Sequence, residues 1–233
     1  ALAGGGGLWG LTAPGRSQAM PMAMASRPLP FDPEECLRSF SRGRLVQENG
    51  RAVRVFEVEA RSITVPLGGE VLLKAWSLNG RVPGPTFRAR QGERLRVIFH
   101  NGDSTSHSLH LHGVHPAAMD GIEPVLRGQT ATYEVDLPRA GLYPYHCHVA
   151  PVSHHVGKGM FGLLVVDPIP ARPPADELVL VMGGYDLNND GRNELYAFNG
   201  IPDHYMHHPI RSLHCRHEPI KRQKKTELHI PLN

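Results

Sequence analysis

Cysteine is scarce in this chain: Cys36, Cys147 and Cys215 are the three among 233 residues. They are too few and too far apart for a disulfide framework, and an odd count leaves at least one thiol for other chemistry. Charge of one sign is also lacking. The formal net charge is +3, and only Lys221, Arg222, Lys224 and Lys225 cluster, so no nucleic-acid footprint is expected and the short run reads as a solvated tail. No apolar run past the first residues approaches the ~20 that a membrane helix needs, so no membrane span is expected. Amphipathic helices of useful length are missing as well.

What the chain has is short alternating segments. Residues 53–58, 71–76, 95–99, 132–135 and 163–166 alternate apolar and polar side chains, which predicts strands with one buried face. Gly68-Gly69, Asn79-Gly80, Pro83-Gly84-Pro85, Gly102-Asp103 and Ala140-Gly141 separate them. The spacing predicts an all-β, antiparallel sandwich over residues 44–168.

Pro168, Pro170, Pro173 and Pro174 end it, which makes 169–176 a linker. Residues 177–233 begin with a new apolar run, Leu178 to Met182, but are too few for a second sandwich and end in an irregular basic tail. Residues 1–43 read as leader, signal remnant and linker. The small apolar start and Ser17-Gln18-Ala19 suggest the end of an export signal, hence a periplasmic or extracellular protein. Met20, Met22 and Met24 read as linker rather than a Cu(I) site.

Fifteen histidines are the compositional anomaly. Imidazole is the commonest protein ligand for transition metals. Two clusters stand out: His107-Ser-Leu-His110-Leu-His112-Gly113, and Tyr145-His146-Cys147-His148 with His154, His155 and Met160 downstream. On a strand, His110 and His112 share a face, as do His146 and His148, while Leu111 and Cys147 face the other way. One short segment can therefore serve two metal sites. A blue-copper site takes a thiolate, two imidazoles and a weak axial thioether, which Cys147, His107, His155 and Met160 supply, with His154 competing for the place of His155. The remaining four histidines carry no thiolate and suit a copper centre that binds oxygen. His100 and His115 read as ordinary surface or hydrogen-bonded histidines, and Cys36 as structural or solvent exposed.

His-x-x-His-x-His-Gly together with His-Cys-His resembles the multicopper oxidase family, specifically bacterial two-domain laccase-like members related to copper nitrite reductases. The resemblance implies a cupredoxin-like Greek-key β-sandwich over 44–168 and a truncated start of a second such domain over 177–233. It implies type 1 copper at His107, Cys147, His155 and Met160; the five-residue offset to Met160 favours His155 over His154. It further implies half of a type 2/type 3 trinuclear copper cluster at His110, His112, His146 and His148, completed across a homotrimer were the second domain whole. Asp120 falls where the family places an acid that delivers protons to reduced oxygen; its simpler role is a turn before Gly121.

The implied activity passes electrons from a phenol, aromatic amine or metal ion to dioxygen. Copper nitrite reductase is the main rival, because the Cys147–His155 loop is nearer that length. His110, in place of an acidic residue, and His148 argue for oxygen. A truncated blue-copper electron carrier without enzyme activity is the third reading. Among the tail histidines, His204, His207, His208, His214, His217 and His229 lack the His-x-His spacing of a second domain.

Overall fold

Alternation along the strands decides the architecture, since each strand has one apolar face to bury. The computed structural model describes residues 28–210. The order is α1 (Pro33–Arg38), β1 (Arg44–Glu48), β2 (Arg51–Gly68), β3 (Val71–Leu78), β4 (Phe87–Arg90), β5 (Arg94–Asn101) and β6 (His110–Leu111), then a 3₁₀ turn at Ala117–Met119. β7 (Thr130–Asp136), β8 (Gly141–His146), α2 (Val152–Gly157), β9 (Phe161–Asp167), β10 (Met182–Tyr185), β11 (Leu195–Phe198) and α3 (His204–His207) follow. Every expected strand segment lies inside one of these elements, and none of the three α-helices exceeds six residues.

The first sheet runs β1-β2-β5-β7 with β3 also on β2, and the second runs β4-β9-β8-β6. They face each other as a cupredoxin-like Greek-key β-sandwich. The pairing is not purely antiparallel as expected: β2–β5 and β4–β9 are parallel. Strands that cross between sheets, rather than turning back as hairpins, produce those parallel neighbours. Phe56, Leu95, Val97 and Phe99 of one sheet meet Phe87, Leu111, Tyr145 and Leu164 of the other in one core. Tyr145, fully buried, donates its hydroxyl to the Pro85 carbonyl at 2.5 Å and stacks on Phe87.

β2 is 18 residues long and outruns the first core. Its second half pairs with β3, and there Val65, Leu73, Ala75 and Val82 meet Phe161, Tyr185 and Ala197 in a second cluster. Residues beyond the proline-rich segment thus pack directly on the sandwich. Residues 28–43, expected as leader and linker, join them: Asp32 caps α1 by accepting from Glu34 N–H, and Pro33 fills the first turn. Leu37 carbonyl accepts from Val179 N–H and Pro33 carbonyl from Tyr205 hydroxyl. Cys36 is 2% exposed, so of its two readings the buried, structural one holds, and burial pushes its thiol up. Arg88 ties the same region down by bonding to Asp167 and Glu177 together.

Ala19, Met20, Met22, Met24, Cys215, His214, His217, His229 and the basic run lie outside the described residues. No helix among the described residues is long and apolar enough to cross a membrane.

Candidate metal centres

β8 ends at His146, and its alternation carries Tyr145 and Cys147 into the core while His146 and His148 face the other way. His107 joins Cys147 from the loop before β6, held by a two-way backbone bridge to Val125. His155 arrives on α2, and Met160 follows just before β9, where its carbonyl accepts from Cys147 N–H at 3.0 Å. Cys147, His107 and Met160 are 0% exposed and His155 is 3% exposed.

The sulfur and two imidazoles converge. Cys147 Sγ lies 3.3 Å from His155 Nδ1 and 4.0 Å from His107 Nδ1, and the two Nδ1 atoms are 3.2 Å apart. His154 is half-exposed, whereas His155 is buried with its Nδ1 at the sulfur, so the Cys147 pocket takes His155. Ser108 N–H donates to the sulfur at 3.4 Å. His107 Nε2 is buried without a hydrogen bond, its closest carboxylate oxygen being Asp103 Oδ1 at 3.7 Å.

Electrostatics fit a metal rather than an ion pair. Burial drives the His155 pKa down to about 4 and lowers that of His107, so both rings are neutral, with lone pairs to give. Burial pushes the Cys147 thiol up. A bound copper ion reverses that, because a coordinating thiol is deprotonated outright. One thiolate, two imidazole Nδ1 atoms and a buried methionine form the donor set that copper prefers.

The second group opens to solvent through His112. His110 on β6 stands opposite His146 on β8 in register, and the His112 backbone N–H bonds to the Pro144 carbonyl. Four rings gather: His110 lies 4.8, 5.1 and 4.3 Å from His112, His146 and His148 between centroids. Three of the four commit their Nδ1 atoms inward: His146 donates to the Cys147 carbonyl at 2.7 Å. His110 and His148 both donate to the Asp120 carbonyl, at 2.8 and 2.9 Å. That fixes the tautomer and leaves Nε2 lone pairs free for a metal. His112 and His146 already bring their Nε2 atoms to 2.8 Å. Two such nitrogens either share a proton or serve one cation.

Asp120 therefore does more than make a turn. Its Oδ1 lies 3.1 Å from His110 Nδ1 and its Oδ2 lies 3.6 Å from His148 Nδ1. Gly121 makes this possible, since its φ is +76° and a β-carbon there would run into the Leu109 carbonyl. His115, read as an ordinary histidine, joins the group: its ring is 4.4 Å from His110 and its Nε2 is 3.5 Å from Asp120 Oδ1. Only its nearness to His112 could have signalled this. Trp76, 31 positions before His107, had no local signal; it packs on His107 and His155 at 5.1 and 4.8 Å. His100 bonds to Thr130 as an ordinary histidine does.

A buried pocket of Cys147, His107 and His155 with Met160 in the same core, backed by an open group of histidines on a Greek-key sandwich, defines a copper protein of the cupredoxin type. Residues 59–171 match the family model for multicopper oxidases, so this stretch is a multicopper oxidase domain of the cupredoxin type. A solved structure described as a multicopper oxidase is 40% identical, with a TM-score of 0.74, over 78% of this chain and 66% of that one. The copper nitrite reductase of Nitrosomonas europaea superposes with a TM-score of 0.55 at 26% identity, over 63% of this chain and 57% of that one. A copper-containing nitrite reductase of Neisseria meningitidis is 34% identical over 155 residues, 63% of this chain and 39% of its own length. The chain thus spans about two fifths of the curated relatives it matches, and those relatives are copper oxidoreductases.

Proposed function

We propose that the chain is part of an exported, laccase-like oxidoreductase that takes electrons from a small reducing substrate and gives them to dioxygen. The observation that carries this reading is the placement of Cys147 between two groups. Its sulfur faces His107 and His155, while its flanking residues, His146 and His148, stand in the open histidine group with His110 and His112. Copper, when bound, supplies one-electron redox chemistry at the cysteine pocket and oxygen reduction at the histidine group.

The protein's share is to hold, orient and protonate. Met160, buried beside Cys147, would add a weak thioether donor to the cysteine pocket, and Ser108 N–H steadies the sulfur. The Asp120 carbonyl orients His110 and His148, and this reading assigns its carboxylate, which lies beside the same two rings, the delivery of protons to reduced oxygen. Four histidines are half of a trinuclear site, so a homotrimer supplies the rest from neighbouring subunits in this reading. Phenols, aromatic amines and metal ions are its candidate reductants. Export to the periplasm or beyond rests on the apolar stretch ahead of Ala19.

The test is copper loading followed by spectroscopy and reoxidation. An intense visible thiolate-to-copper band is expected, and Cys147→Ser should abolish it while keeping the fold. Fully reduced protein should be reoxidised by dioxygen and not by nitrite. Reoxidation by nitrite alone would establish the second reading, which the 34% identity to a copper-containing nitrite reductase supports. One copper per chain, instead of about four in a complete oxidase, would leave an electron carrier.

A further inference from the structure

We propose that Trp76 is the docking residue for the reductant, and that it takes a planar, electron-rich aromatic molecule stacked on its indole. The inference rests on the copper reading of the Cys147 pocket given above. Both pocket imidazoles are sealed: His107 is 0% and His155 3% exposed. An electron must therefore cross a covering group to reach them. Trp76 is half-buried, and its ring touches three histidines here, His107 at 5.1 Å, His155 at 4.8 Å and His154 at 5.2 Å.

Local structure holds the indole in place. Trp76 lies in β3, its partner across β2 is Ser62, and its backbone N–H donates to the Lys158 carbonyl at 2.9 Å, just after the helix that carries His155. The ring and the His155 imidazole thus keep their mutual position without any contact from a ligand. His154, also half-exposed, meets the indole edge-on at 83°. A half-buried indole tilted 39° to the His155 ring and nearly perpendicular to the His154 ring suits an aromatic donor by offset or edge-to-face packing.

One electron moves per encounter. The phenol or aromatic amine would lose it and leave as a radical, releasing its acidic proton to water, and a copper(II) ion held by Cys147, His107 and His155 would be the one-electron acceptor. No bond forms between the protein and the reductant.

The experiment uses the copper-loaded chain and stopped-flow reduction by two probes, hydroquinone and hexaammineruthenium(II), which is compact and not aromatic. In Trp76→Leu, reduction by hydroquinone should slow roughly two- to tenfold, the range one aromatic stacking contact supports. Reduction by hexaammineruthenium(II), the visible band and the midpoint potential should stay as in the parent, and Trp76→Phe should recover most of the hydroquinone rate. Unchanged hydroquinone kinetics would overturn the proposal. So would equal slowing of both probes with an altered band or potential, which would make Trp76 a packing support.

A second measurement needs no Trp76 substitution. The chain holds two tryptophans, Trp9 and Trp76, so a Trp9→Phe background isolates one fluorophore. Quenching by 4-nitrophenol should saturate in the metal-free protein; purely linear, collisional quenching would count against docking. A parent protein with no thiolate-to-copper band would defeat the copper reading itself, and the docking role with it.

Discussion

Acid should unfold the metal-free protein through its buried histidines before its carboxylates matter. His155 is the sharpest case, because it is 3% exposed and its pKa falls from 6.5 to about 4 by burial, with smaller pushes from His107 and His154. An unfolded chain regains the ordinary value, so between those two pKa values the unfolded state binds more protons than the folded one. Stability therefore rises with pH across that window and is lost as pH falls through it. A shift of that size corresponds to about 3 kcal/mol at 1.36 kcal/mol per unit. His107, His110, His112 and His146 are lowered for the same first reason and act in the same direction.

The assay is urea unfolding of metal-free protein at intervals from pH 7.5 to pH 4, beside His155→Gln. Both curves should fall, since the other histidines remain. The parent should lose about 3 kcal/mol more than the variant over the interval. Asp103 and Asp167, whose pKa values are lowered, lose their contributions only below the usual aspartate range, beyond the acid end of this interval and in both proteins alike. Parallel curves for parent and variant would refute the reasoning, because they would mean that His155 is as free to charge in the folded chain as in the unfolded one.

Two further substitutions probe how the frame holds the sites. Gly121→Ala should weaken metal binding at the open histidine group while sparing the Cys147 pocket: a methyl at φ +76° pressing on the Leu109 carbonyl displaces the Asp120 carbonyl that orients His110 and His148, at about 1–3 kcal/mol of stability. Copper titration read separately by visible absorption and by total metal would show it, and equal loss at both sites would speak against it. Arg88→Met should cost about 2 kcal/mol in urea unfolding, because the Asp167 and Glu177 carboxylates lose a guanidinium whose side chain is 11% exposed; an unchanged midpoint would mean that solvent screens the pair fully.

The sites were legible in the sequence to the extent that strand geometry is local. His110, His112, His146 and Cys147 follow from period-two alternation along β6 and β8 and the residue just past each, and the structure places Cys147 in the core and the histidines together on the other side. The fold class was legible for the same reason, whereas the parallel pairings β2–β5 and β4–β9 depend on which strand crosses to which sheet, and alternation carries no record of that. His115 and Trp76 mark the same boundary at the site. His115 approaches Asp120 through a turn whose path depends on Gly121, and Trp76 meets His155 because β3 hydrogen-bonds to the end of α2. Helix α1 shows how far the principle reaches. Its cap, Asp32 followed by Pro33, is a local signal, but only packing against Val179 and Tyr205 turns six residues, too few to be stable alone, into a lasting helix.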